Sequence, residues 1–217
     1  MIKACLFDLD GVIVDTAQFH FIAWRRLANE LGFDFSAKDN EKLKGVGRME
    51  SLDLILSWGG IELSQEEKET WAAKKNEWYR AYLKDMSPDD ILEGFMPFLE
   101  DLEQKNIRIG LGSASKNART VMEQIQLLDR FEVIIDGTKT TRSKPDPQVF
   151  QLGAEALGFQ PAECIVFEDA ASGIEAALNG GFQAVGVGEP ENLSKAHLVI
   201  PNFIGRTFED IVQALHN

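Results

Sequence analysis

The sequence ACLFDLDGVIVD, residues 4–15, begins with four apolar residues and continues with two carboxylates and a glycine. The apolar run Ala4–Phe7 is typical of a short buried strand. Asp8 and Asp10 are two residues apart, so in an extended chain their side chains project from the same face. Two like charges held this close favour a bound cation, a shared proton or an anionic substrate carried on a metal. The same residues also fit a strand that ends in a solvated Asp-Gly turn.

The composition is typical of a globular domain with a smaller insertion. The chain has 217 residues, of which 44% are hydrophobic and 26% are charged. No apolar run approaches the roughly 20 residues of a membrane span, and the first strand leaves no room for a signal peptide. The net charge of -13 argues against nucleic acid or an anionic membrane as a partner. We expect a monomer, because no extra apolar surface is evident.

Two cysteines, Cys5 and Cys164, both fall in predicted strands and lack the spacing of a metal or redox motif. We interpret them as buried thiols of a protein in the reducing cytoplasm.

Residues 15–87 predict an all-helical insertion. His20, Trp24 and Leu27 recur at helical spacing and form one stripe. A capping box at residues 64–67, Ser-Gln-Glu-Glu, predicts the start of a second long helix. No strong strand pattern occurs between these two helices.

Short apolar strands alternate with helices after the insertion. This alternation is typical of a parallel sheet with helices on both faces. We therefore predict an α/β fold, a doubly wound parallel sheet with a Rossmann-like core, formed by residues 1–14 and 88–217. The predicted strands after the insertion are residues 107–111, 132–135, 164–167 and 184–187.

Polar residues follow four of the five predicted strands, where ligands bind in open parallel sheets. The carboxylates suit Mg²⁺, the serine precedes a helix whose N–H groups favour an anion, and the lysine is a compact positive charge. Each has an ordinary alternative as a helix cap or a solvated loop residue, but their order along the strand ends favours one site. The groups are Asp8 and Asp10, then Ser113 with Lys116 and Asn117, then Lys144, then Glu168 and Asp169.

These four groups resemble the motifs of the haloacid dehalogenase superfamily of phosphotransferases, and the resemblance covers essentially the whole chain. The helical insertion is similar to the cap domain of that superfamily. The matching motifs are Asp8-Leu9-Asp10-Gly11, Ser113, Lys144-Pro145 and Glu168-Asp169.

The resemblance implies covalent catalysis. Asp8 becomes an aspartyl phosphate, and Asp10 acts as general acid and base. Mg²⁺ is held by Asp8, the backbone carbonyl of Asp10 and Asp169, with Glu168 in or just outside that shell. The phosphoryl oxygens are bound by Ser113, Asn117 and Lys144.

The insertion is similar to the cap of the β-phosphoglucomutases within that superfamily. A mutase needs a second anion site away from Asp8, and Arg48 is the candidate because a guanidinium binds phosphate bidentately. A solvated charged helix face is the alternative for Arg48 and Lys44. The remaining substrate residues implied by the resemblance are Trp24, Lys44, Gly45, Ser51, Lys75, Asn76, Ala114, Ser115 and Lys116.

His20 has two interpretations. Its spacing with Trp24 favours a partly buried interface residue, whereas the resemblance implies a catalytic role beside Asp10, in proton transfer or in cap closure.

The resulting hypothesis is a Mg²⁺-dependent phosphohexose mutase that interconverts β-glucose 1-phosphate and glucose 6-phosphate through glucose 1,6-bisphosphate. A sugar-phosphate phosphatase of the same superfamily is the alternative. A signalling receiver domain shares the acidic pair but lacks the helical insertion, and a dehalogenase does not need Asp10, because a halide leaves without a proton.

Overall fold

A computed structural model describes residues 1–43 and 45–216 of the chain. Within those residues, six parallel strands form one sheet in the order β3-β2-β1-β4-β5-β6. The chain starts in the middle of the sheet and extends it first to one side and then to the other, which confirms the predicted doubly wound fold. The strands are β1 (Ala4–Phe7), β2 (Arg108–Gly112), β3 (Val133–Ile135), β4 (Cys164–Glu168), β5 (Gln183–Val187) and β6 (Leu198–Ile200).

The segment between β1 and β2 is helical and, in the described residues, contains no strand of the sheet. We call the four α-helices of this segment that precede residue 88 the cap; the domain boundaries at residues 15 and 87 stay a prediction. The cap helices are α1 (Ala17–Glu30), α2 (Ala37–Glu41), α3 (Arg48–Gly59) and α4 (Gln65–Leu83). The helices that pack around the sheet are α5 (Phe95–Gln104), α6 (Ala118–Gln124), α7 (Gln148–Leu157), α8 (Ala171–Asn179) and α9 (Phe208–Leu215).

The start of α4 follows the sequence pattern. The Ser64 side chain accepts a hydrogen bond from the Glu67 amide, and the Glu67 carboxylate accepts one from the Ser64 amide at 2.8 Å. This reciprocal pair satisfies N–H groups that the first helical turn otherwise leaves free. The cap has an apolar core of its own, in which Trp24, Leu27 and Leu52 are buried.

Two segments connect the cap to the sheet, and they run side by side. Val14 and Ile91 form an antiparallel bridge, and the Leu92 amide donates to the Ile13 carbonyl at 2.9 Å. The chain thus leaves and re-enters the sheet domain next to the carboxyl end of β1. This arrangement places the cap directly over Asp8.

Buried aromatic rings fix β1 against its neighbours. Phe7 of β1 stacks on Phe167 of β4 with ring centroids 4.8 Å apart, and Phe98 of α5 meets the Phe167 ring edge-on at 5.5 Å. Phe203 contacts all three rings. Such pairs contribute stability beyond the burial of their area.

The cysteines are buried free thiols, as predicted. None of the helices formed by the described residues is both long enough and apolar enough to cross a membrane.

Phe167→Ala tests the aromatic cluster. We expect the free energy of unfolding to fall by about 3–5 kcal/mol, because the substitution removes a ring from the packed core. Urea denaturation measures the change. Ile204, which is half exposed, is the control, and Ile204→Ala should change stability by less than about 0.5 kcal/mol. Equal losses in the two variants would contradict this account of the core.

Candidate active site

A cavity of about 450 Å³ lies between the cap and the carboxyl ends of the strands. This volume is in the range of small-ligand sites. The cavity contains most of the predicted site residues and brings the sheet and cap residues together. Those that line it are Asp8, Asp10, His20, Trp24, Gly45, Arg48, Ser51, Lys75, Asn76, Ser113, Ala114, Ser115, Lys116, Asn117 and Asp169.

A buried lysine, Lys144, binds one carboxylate oxygen of Asp8. The Nζ atom of Lys144 donates to Asp8 Oδ1 at 2.5 Å and to Glu168 Oε1 at 2.5 Å. It also donates to the Gly112 carbonyl at 3.2 Å. Burial alone would lower the pKa of Lys144, but the two carboxylates outweigh it and raise the pKa, so the ammonium stays charged. The other oxygen of Asp8 accepts from the Asp10 amide at 3.1 Å.

Glu168 does not line the cavity and is fully buried. One of its carboxylate oxygens accepts from Lys144 and the other from the Ala170 amide at 2.9 Å. These contacts are those of a residue that orients Lys144. Its place in or beside a metal shell stays a prediction.

The side chain of Asp10 is turned toward the cap. The Thr16 hydroxyl donates to Asp10 Oδ1, and Tyr79 of α4 lies 3.1 Å from the same threonine oxygen. Because Thr16 gives its proton to Asp10, Tyr79 must be the donor to Thr16. Burial and the neighbouring Asp8 carboxylate raise the pKa of Asp10 to about 7. A carboxyl group with that pKa can both give and take a proton near neutral pH.

Thr16 and Tyr79 are site residues that our sequence interpretation did not assign a role. Tyr79 follows Lys75 by four residues on α4, and residues at that spacing share a helix face. This spacing was the signal available in the sequence.

The loop after β2 presents hydrogen-bond donors to the cavity. Ser113 Oγ accepts from the Ser115 amide at 3.1 Å, which leaves the Ser113 hydroxyl proton free to donate. Ser115 Oγ accepts from the Asn117 amide at 3.2 Å. The Gly137 amide donates to the Ser115 carbonyl at 3.2 Å and holds this loop against the end of β3. A loop of this kind suits a phosphoryl group.

The oxygen donors near Gly11 fit Mg²⁺. A side chain at residue 11 would place its Cβ 2.8 Å from the Cβ of Asp169 and closer still to the carboxylate, so Asp169 packs directly on this glycine. Asp8 and Asp169 both line the cavity. Among the described residues, no three His, Cys, Asp or Glu side chains converge as a metal cluster. Mg²⁺ commonly takes only one or two carboxylates and completes its shell with water and phosphate oxygens.

The cap end of the cavity carries buried positive charge. Lys75 is 2% exposed, and its Nζ lies 2.8 Å from Nδ1 of His20 and 4.2 Å from the centroid of the Trp24 ring. Burial and the nearby Arg48 guanidinium lower the pKa of Lys75. Burial and Lys75 also lower the pKa of His20, so the imidazole is neutral and accepts from the lysine. The His20 ring lies against the Tyr79 ring. The Tyr79 hydroxyl is hydrogen-bonded to Thr16, and Thr16 in turn donates to Asp10.

A hydrogen bond joins the loop after β2 directly to the cap. The Asn117 amide group, in the loop after β2, donates to the Asn76 side-chain oxygen of α4 at 2.8 Å. Ser51, at the cap end, is buried, and its hydroxyl points to the Val46 carbonyl at 3.5 Å. The predicted substrate residue Lys44 lies outside the described residues.

Comparison with known proteins agrees with this geometry. Residues 2–181 match the family model described as haloacid dehalogenase-like hydrolase. The chain belongs to this family of enzymes.

Three proteins of known name show which members of this family the chain is similar to. The chain is 40% identical over 209 residues to the Beta-phosphoglucomutase of Bacillus subtilis, an alignment that covers 95% of this chain and 92% of that one. It is similar to the crystal structure of beta-phosphoglucomutase from Clostridium difficile, with 44% identity, a TM-score of 0.96 and coverage of 100% of this chain and 98% of that chain. It is also 31% identical over 201 residues to the Phosphorylated carbohydrates phosphatase of Thermotoga maritima, with 90% of each chain covered.

Lys144→Met tests the buried cation. We expect the free energy of unfolding to fall by about 3–5 kcal/mol, because Asp8 and Glu168 lose the charge between them. Urea denaturation at neutral pH measures the change. Lys195 forms an exposed ion pair with Glu175, and Lys195→Met should cost less than about 1 kcal/mol. A small effect at both positions would show that Lys144 does not hold the site together.

Proposed function

We propose that the chain is a Mg²⁺-dependent mutase that interconverts β-glucose 1-phosphate and glucose 6-phosphate, with glucose 1,6-bisphosphate as the intermediate. It would act in the cytoplasm as a monomer on a small sugar phosphate. The 40% identical Beta-phosphoglucomutase of Bacillus subtilis supports the choice of reaction.

The observation that carries the proposal is the positive charge at the cap end of the cavity. Within residues 1–43 and 45–216, neither Arg48 nor Lys75 forms an ion pair with a carboxylate. Burial and the neighbouring Arg48 guanidinium lower the pKa of Lys75, and an anion bound near these two residues would favour their charged forms. A sugar bisphosphate has a phosphate for each end of the cavity.

The chemistry at Asp8 would divide one phosphoryl transfer into two. An Asp8 oxygen forms a bond to phosphorus while the bond from phosphorus to the sugar oxygen breaks. Asp10 gives its proton to the leaving oxygen and, in the second transfer, takes a proton from the attacking hydroxyl. Ser113 and Asn117 would bind the phosphoryl oxygens, and the Lys144 ammonium, whose three N–H groups are donated to Asp8, Glu168 and the Gly112 carbonyl, would offset their charge. Mg²⁺, held by Asp8, Asp169 and the Asp10 carbonyl, would neutralise charge on the transferring group.

Phosphate release to water is the second candidate. The same sheet-domain residues would serve a phosphatase, and a 31% identical relative is the Phosphorylated carbohydrates phosphatase of Thermotoga maritima. The two reactions differ only in whether a sugar hydroxyl or water attacks the aspartyl phosphate.

The decisive assay supplies β-glucose 1-phosphate, Mg²⁺ and a trace of glucose 1,6-bisphosphate, and follows glucose 6-phosphate and free phosphate together. We expect mainly glucose 6-phosphate, no activity with Asp8→Asn or after chelation with EDTA, and about a 10²- to 10⁴-fold lower rate with Asp10→Ala. Free phosphate as the main product would instead establish the phosphatase.

Arg48→Ala tests the cap end alone. We expect glucose 6-phosphate formation to fall about 10- to 100-fold, the effect of losing charged hydrogen bonds to one phosphate. Free phosphate should rise as a share of product, because a sugar that is bound less firmly competes less well with water for the aspartyl phosphate. Arg25, an exposed arginine of α1 that pairs with Asp34, provides the control, and Arg25→Ala should behave as wild type. An Arg48 variant with an unchanged rate would remove the support for a second anion site.

A further inference from the structure

The first turn of α8 lies directly on the carboxylate of Glu168. Gly173 is in this turn, and a Cβ built on it would lie 2.5 Å from Glu168 Oε2 and closer still to Oε1 and the carboxyl carbon. Carbon and oxygen atoms in contact are normally more than 3 Å apart. The space that the carboxylate fills therefore exists only because residue 173 has no side chain.

Backbone conformation does not explain this glycine. Gly173 lies inside α8 and is not among the glycines with a positive φ. Alanine would favour the helix more than glycine does. The contact with Glu168 is thus the feature of the structure that accounts for glycine at this position.

The contact leads to the reacting carboxylate in three steps. Gly173 leaves room for Glu168, Glu168 accepts from Lys144, and Lys144 donates to Asp8. The side chains of Glu168 and Lys144 are each 1% exposed, so water cannot take over the hydrogen bonds of either side chain if it is displaced. A displaced Glu168 must move Lys144 or leave it bound only to Asp8 and the Gly112 carbonyl.

We propose that Gly173 is a positioning residue for phosphoryl transfer, which acts through Glu168 to place the Lys144 ammonium beside Asp8. This inference rests on the proposed aspartyl-phosphate chemistry. It does not depend on whether a sugar hydroxyl or water receives the phosphoryl group.

Gly173→Ala is the test variant, assayed for phosphorylation of the protein by acetyl phosphate with Mg²⁺ and for turnover of β-glucose 1-phosphate. We expect both rates to fall about 100-fold, the effect of a misplacement near 1 Å, with little change in KM. The control is Gly153→Ala in α7, whose Cβ would meet only the flexible Leu6 side chain at 3.0 Å. It should retain wild-type rates.

A second variant separates positioning from folding. Glu168→Asp shortens the side chain by one carbon, which withdraws the carboxylate from a Cβ at residue 173. We therefore expect Glu168→Asp with Gly173→Ala to fold and to be no slower than Glu168→Asp alone, because both changes act on the same contact. This result for the double variant would support the inference even if Gly173→Ala alone does not fold.

Three results would overturn the inference. They are a Gly173→Ala enzyme within about twofold of the wild-type rates, an additive loss in the double variant, or a double variant that also fails to fold. If wild-type protein is not phosphorylated at all, the proposed function fails first, which distinguishes the two claims.

Discussion

A buried ammonium group between two carboxylates fixes the reactive end of this protein. Lys144 reaches Asp8, at the end of the central strand, and Glu168, at the end of the next strand in the sheet. In a medium from which water is excluded, removing the ammonium leaves two carboxylates without compensation. The strand order, the packing of α8 against Glu168 and the Gly112 carbonyl at the end of β2 all support this contact. The open side of Asp8 is then left to face the cavity.

Among residues 1–43 and 45–216, hydrogen bonds couple the cap to the same centre. Tyr79 of α4 reaches Asp10 through Thr16, and Asn76 of the same helix binds Asn117 in the loop after β2. Any movement of α4 relative to the sheet must therefore change the hydrogen bonds of Asp10 and of the loop that is suited to a phosphoryl group. A ligand that binds cap and sheet together would be favoured for the same reason.

The sequence allowed prediction of the sheet and of the strand ends, because apolar runs and polar termini are local patterns. It did not reveal β6, whose three residues make too short a run, or Gly173, whose role depends on a side chain in another element. Thr16 and Tyr79 were missed for a similar reason, since 63 positions separate them. Glu168 was expected in or just outside a metal shell, which stays a prediction, and its two oxygens accept hydrogen bonds from Lys144 and from the Ala170 amide.

The acidity of the chain is compatible with an anionic ligand. A net charge of -13 is spread over the surface, where salt screens each charge beyond about 8 Å. Lys75 and Lys144 lie inside, where screening by salt is weak and each is nearly inaccessible to water. At short range these buried cations decide what binds, whereas at long range the surface disfavours polyanions. This distribution is compatible with the proposed sugar phosphate and disfavours a nucleic acid, so the expected selectivity depends on where the charges lie and not on their sum.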